Sequence, residues 1–121
     1  MKQLEFQQDR FRVTANVSPT QAWIFWRGVS EARNPGAFLD SINTKVVEFV
    51  KGNDVTVDFT ELEYMNSATV APMLSLVKQL DANGNRVQLI FSTVDWQRTH
   101  LMCMTTISRT LKNVTVKRAG A

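Results

Sequence analysis

The stretch Val55-Thr56-Val57-Asp58-Phe59-Thr60-Glu61-Leu62-Glu63-Tyr64-Met65-Asn66-Ser67-Ala68-Thr69-Val70-Ala71-Pro72-Met73-Leu74 decides how this chain is read. It opens β-branched and apolar and reaches an acid at Asp58, the pattern of a buried strand. Thr60 to Met65 reads as a short connector. Asn66-Ser67-Ala68-Thr69 then supplies amide and hydroxyl side chains, which serve the unpaired N–H groups where a helix begins. From there Val70, Met73, Leu74, Val77 and Leu80 recur at helical spacing, the cleanest such stripe in the chain. Asn83-Gly84 ends it, because either residue takes the left-handed conformation that closes a helix.

The alternation of strand and helix extends both ways. Upstream, Phe11, Val13, Ala15 and Val17 alternate with Arg12, Thr14 and Asn16, a period-2 strand. Ser18-Pro19-Thr20 supplies a turn. Ala22 to Arg27 is a second, aromatic strand ending at Gly28. After the loop signal Asn34-Pro35-Gly36, the residues Leu39, Ile42, Val46, Phe49 and Val50 share one helical face, stopped by Gly52. Downstream, Arg86 to Ser92 reads as a strand. Asp95 is expected to cap a helix with the stripe Trp96, His100, Cys103, Met104 and Ile107. Asn113 to Lys117 is the last strand. The predicted order is strand, strand, helix, strand, helix, strand, helix, strand. Right-handed crossovers make such a sheet largely parallel, and the first hairpin makes it mixed. The expected fold class is α/β: a single domain over 1–121, a mixed sheet with amphipathic helices packed against it.

A chain of 121 residues, 44% hydrophobic and 21% charged, fits one ordinary globular domain and excludes collagen-like or wholly disordered classes. No apolar run approaches the length of a membrane span, so no membrane insertion is expected. Met1 to Phe6 lacks the apolar core of a signal peptide, and the lone Cys103 forms no internal disulfide. The expected compartment is the cytoplasm. The net charge of +3 is spread along the chain and reads as a solvated surface, with no nucleic-acid partner. Arg10 and Arg12 join Lys112, Lys117 and Arg118 in a small basic patch only if the two ends of the chain pair in one sheet.

Chemistry-bearing residues are sparse. His100 has no second His and no Cys pair at ligand spacing, so it reads as a packed helix residue, with no metal site. Cys103, on the same stripe, reads as a small buried hydrophobe. Asp58, Glu61 and Glu63 read as loop charges, one of them accepting backbone N–H bonds in a turn. The glycines match neither a phosphate-binding loop nor a dinucleotide fingerprint, and no Gly-x-Ser-x-Gly elbow occurs. No enzymatic activity and no cofactor are expected. Trp23 and Trp26 lie three apart on one strand and so point to opposite faces.

The deciding stretch resembles the STAS domain of bacterial anti-sigma factor antagonists. That family has a strand ending near an acid, an apolar connector, an Asp-Ser pair at a helix start, and a Gly-containing turn before the next apolar strand. The matching pieces are Val57-Asp58-Phe59, Leu62, Tyr64-Met65, Asn66-Ser67, Asn83-Gly84 and Val87 to Ile90. The resemblance implies a non-enzymatic regulator whose Ser67 is phosphorylated by a partner serine kinase, often the anti-sigma factor itself or another signalling enzyme. A metal-dependent serine phosphatase removes the phosphate. It also implies that Asp58, Asn66, Ser67, Ala68 and Thr69, with the loop from Gly28 to Gly36, border the partner surface. Thr69 is the alternative acceptor. Two alternatives accompany this reading: a constitutive STAS-type subunit of a transporter or lipid-transfer assembly, and a small-ligand or nucleotide-binding domain.

The chain departs from the family pattern at three places. Asn66 replaces the usual Asp, keeping hydrogen bonding and losing charge. Ala68-Thr69 replaces the usual Ser-Gly. Pro72 interrupts the early helix and fits only if the regular helix starts near Thr69, which leaves Ser67 in an exposed connector.

Overall fold

The structure is a computed structural model that describes residues 2–92 and 94–119, the side chains of Asp95 and Leu101 excepted. Its elements are β1 (Lys2–Gln8), β2 (Phe11–Val17), β3 (Gln21–Ser30), α1 (Pro35–Phe49), β4 (Asp54–Asp58), β5 (Leu62–Met65), α2 (Val70–Ala82), β6 (Val87–Phe91), α3 (Asp95–Ser108) and β7 (Val114–Arg118). A single 3-10 turn, Ser67–Thr69, precedes α2. The strands form one seven-stranded sheet in the order β1-β2-β3-β4-β6-β7, with β5 also paired to β3. β1, β2 and β3 are antiparallel neighbours, and the remaining pairs are parallel. The mixed α/β sheet is the one expected, with two strands more than the pattern predicts. β1 carries only Leu4 and Phe6 as half-buried apolar residues, and β5 lies within the connector.

Register explains which face is covered. Ala15 pairs with Ile24, Ile24 with Val57, Val57 with Leu89, and Leu89 with Val116, so the apolar residues of successive strands fall in one row. The connections through α1, α2 and α3 all step the same way across the sheet. Right-handed crossovers that step one way place all the helices on one face. The opposite face carries the row Asn16, Trp23, Thr56, Gln88 and Thr115.

The core is built around aromatic rings. Trp26 is fully buried, edge-on to Phe11 and Phe59, and Phe59 stacks on Phe91 at 4.8 Å. Leu39, Ile42 and Val46 of α1, Met73, Val77 and Leu80 of α2, and Met104 of α3 close over them. Trp23, on the helix-free face, is 36% exposed and stacks on Phe25. Pro35 occupies the first turn of α1, where its missing N–H leaves no bond unmade.

One expectation of burial is corrected. Cys103 is exposed, not a buried hydrophobe. The inward line of α3 runs through the buried Gln97 and Met104, and Cys103 sits about 100° around the helix from Met104. The basic ends of the chain do not meet, because β3, β4 and β6 separate β2 from β7. Helix α3 begins at Asp95 itself, with Val94 in the cap position expected for Asp95; the Asp95 side chain lies outside the described residues. Among the described residues no helix is long and apolar enough to cross a membrane.

Glycines 28 and 84 separate two costs. Both have positive φ, +88° and +81°. A Cβ on Gly84 meets nothing within 4 Å, whereas one on Gly28 would lie 1.9 Å from the Arg10 carbonyl oxygen. Gly84→Ala should cost only the left-handed penalty, about 1–2 kcal/mol. Gly28→Ala should cost clearly more, because backbone must move. Urea unfolding of the two variants checks the order; equal losses would remove the steric argument.

Candidate functional site

The site begins at an interruption in the sheet. β4 ends at Asp58, and the chain turns and rejoins β3 as β5, pairing Val29 with Tyr64 and Ser30 with Met65. Asp58 holds this turn: its carboxylate accepts the Thr60 N–H at 2.8 Å and the Thr60 hydroxyl at 2.6 Å. That is the turn role expected for one of the acids. Gln97, buried in the first turn of α3, spans the gap. Its amide donates to the carbonyls of Phe59 and Leu62, each at 2.8 Å, and its carbonyl accepts the Ser92 N–H at 2.7 Å. Sequence reasoning passed over Gln97. The only available signal was a Gln seven residues before Met104, on the inward line of a helix.

Beyond β5, Asn66 fastens the connector to the end of β3. Its backbone N–H donates to Ser30 O at 2.9 Å, and its side-chain amide donates to Ala32 O at 2.9 Å. Its side-chain carbonyl accepts the Thr69 hydroxyl at 2.7 Å, and the Thr69 oxygen lies 2.8 Å from the Ser30 hydroxyl. Thr69 has one hydroxyl proton, already given to Asn66, so Ser30 is the donor in the last bond. The relay runs Ser30 to Thr69 to Asn66 to Ala32. An Asp at position 66 would have no donor for Ala32, so the amide of Asn66 has a structural role that a carboxylate could not fill.

Ser67 follows directly and is exposed, as is Ala68, while Thr69 is fully buried. The Val70 N–H donates to Ser67 O, and α2 starts at Val70 with Thr69 as its N-cap. Pro72 therefore falls in the first turn, where no intrahelical acceptor waits for its missing N–H. The helix start and the exposed Ser67 are those expected. Asn43 of α1 donates to Pro72 O at 3.1 Å, tying the two helices together beside the site.

Asn66, Ser67, Ala68 and Thr69 thus lie together with the loop after β3. Asp58 serves its own turn instead. A groove of about 460 Å³ opens between α1 and α2, bordered by Arg33, Asn34, Gly36, Asp40, Ala68 and Pro72. Nearby, Arg10 pairs with Glu31 at 2.9 Å, which raises the Arg10 pKa, and Arg27 pairs with Glu61 while lying over the Phe25 ring. Among the described residues no group of three His, Cys, Asp or Glu side chains could hold a metal ion. His100 is edge-on to Trp96, and burial lowers its pKa.

No protein-family model matches the chain, and no curated protein matches it by sequence. What fold and site define is a small α/β protein with a mixed sheet and packed helices, carrying an exposed serine in a hydrogen-bonded turn ahead of a helix.

Thr69→Val keeps shape but leaves the buried groups of Asn66 and Ser30 unpaired, and should cost about 1–3 kcal/mol. Asn66→Asp should cost a similar amount. Ser67→Ala, at an exposed hydroxyl, should stay within about 0.5 kcal/mol. Urea unfolding measures all three.

For His100, the folded state favours the neutral ring, so the unfolded chain takes up its proton first as the pH falls. The stability this contributes is complete above the ordinary imidazole value and drains as pH falls through the lower folded value. His100→Gln should flatten the fall in unfolding midpoint between roughly pH 7 and 5.

Proposed function

We propose that this chain is a non-enzymatic regulatory binding protein of the anti-sigma-factor-antagonist type, a stand-alone STAS-like regulator switched by phosphorylation and dephosphorylation of Ser67. The observation that carries the reading is a contrast between two hydroxyls two residues apart. Ser67 is exposed in a turn, whereas Thr69 is buried and bonded on both sides. The position of Ser67 just ahead of the 13-residue α2, at the end of β5 and beside the loop after β3, adds support.

In the switch, a partner serine kinase, an anti-sigma factor or other signalling enzyme, supplies a nucleoside triphosphate. A bond forms between Ser67 Oγ and the γ-phosphorus, and the bond from that phosphorus to the β–γ bridging oxygen breaks. The nucleoside diphosphate leaves, and the hydroxyl proton passes to a base on the kinase. Asn66 carries no carboxylate, so this chain supplies no base there. A metal-dependent serine phosphatase reverses the change by adding water across the Oγ–P bond. Phosphoserine brings nearly two negative charges to a surface that the partner otherwise meets uncharged. This reading places the protein in the cytoplasm and gives it no cofactor, no nucleic-acid partner and no membrane insertion.

One observation favours the constitutive-subunit alternative: Trp23 stands 36% exposed on the helix-free face of the sheet, and permanent interfaces bury such aromatics. Immobilised wild-type, Ser67→Ala and Ser67→Asp chains, used to capture proteins from a lysate of the host, separate the two readings. The switch predicts a signalling protein held by wild type and Ser67→Ala and retained at least about tenfold less by Ser67→Asp. One set of proteins held equally by all three would overturn the switch and favour the subunit.

A further inference from the structure

We propose that Arg33 receives the phosphate on Ser67. The inference rests on the phosphorylation proposed above and names what that phosphate does within the molecule.

The argument starts from the alignment of two segments. β3 and β5 run parallel with Ser30 opposite Met65. The alignment continues past both strands through Asn66, whose backbone N–H donates to Ser30 O and whose side-chain amide donates to Ala32 O. One residue further along each segment stand Arg33 and Ser67, both exposed. Arg33 and Ala68 border the same groove. A long side chain spans the distance between diagonal neighbours of aligned segments, about 7–8 Å.

Charge selects Arg33 from the cations in this part of the molecule. Arg10 is paired with Glu31 and Arg27 with Glu61. Among the described residues Arg33 has no ion pair. The acids around it are Glu31, held by Arg10; Asp40 of α1, across the groove; and Glu63 of β5, exposed. A guanidinium matches two phosphate oxygens at once, which a lone ammonium does not.

The test uses the full chain with phosphoserine installed at position 67 during translation, so that no kinase is needed. The phosphorus resonance is followed against pH in this chain and in the same chain carrying Arg33→Gln or Arg33→Lys. With Arg33 present, the second phosphate ionisation should fall about 0.5 pH lower than in Arg33→Gln, with Arg33→Lys between them. The difference should shrink in about 1 M salt. The guanidinium N–H resonance of Arg33 should also move when Ser67 carries phosphate. Identical titrations in all three chains, with that resonance unmoved, would overturn the proposal. Because the phosphate is installed, this failure would leave cellular phosphorylation of Ser67 standing. Lack of phosphate on the chain in its host would remove that reading without touching this measurement.

Discussion

Three parallel connections that all step the same way across one sheet constrain everything else in this molecule. A strand-helix-strand unit is right-handed, so three successive units in one direction stack α1, α2 and α3 on one face. The apolar row through Ala15, Ile24, Val57, Leu89 and Val116 follows from that geometry, and so does a second face that α1, α2 and α3 leave uncovered. The same arrangement gathers the loop after β3 and the connector after β5 at one end of the parallel strands. That end is where loops of such sheets carry function. The opposite end is occupied by the helix stops at Gly52 and Gly84, both with positive φ.

Within that frame polar groups hold the candidate site beside the buried Leu62 and Met65. At the break between β4 and β5 Gln97 donates to the carbonyls of Phe59 and Leu62, the former also accepting the Leu62 N–H. The turn after β5 is held by the run of bonds from Ser30 through Thr69 and Asn66 to Ala32. An unpaired buried polar group costs more than a typical hydrogen bond gains, so each link depends on its neighbour. The result is an exposed Ser67 on a turn whose Asn66 and Thr69 side chains are fixed.

Much of this was readable from residue spacing. The period-2 runs at 11–17 and 87–91 and the stripe through Met73, Val77 and Leu80 report burial on one face, and one face is what the crossovers bury. Pro72 located the start of α2, because only a first-turn position tolerates it. β5 escaped notice because its burial pattern, buried at Leu62 and Met65 and exposed between, breaks period 2 where its pairing shifts at Gly28 and Val29. β1 is mostly polar and owes its strand to pairing along the whole of β2. Gln97 and Asn66 act on partners more than 30 residues away in sequence, and periodicity carries no record of such bonds. Asn66 shows this most plainly. Beside a family motif it reads as a lost charge; in the fold it is a gained donor.

The central claim is that the exposed hydroxyl of Ser67 is the point of control. Phosphopeptide mass spectrometry on the chain isolated from its own host, under growth and under stress, tests it most directly. The account predicts phosphate on Ser67 in one condition and its loss in the other, with Thr69 unmodified in both. Phosphate on the buried Thr69, or on neither residue in any condition, would contradict it.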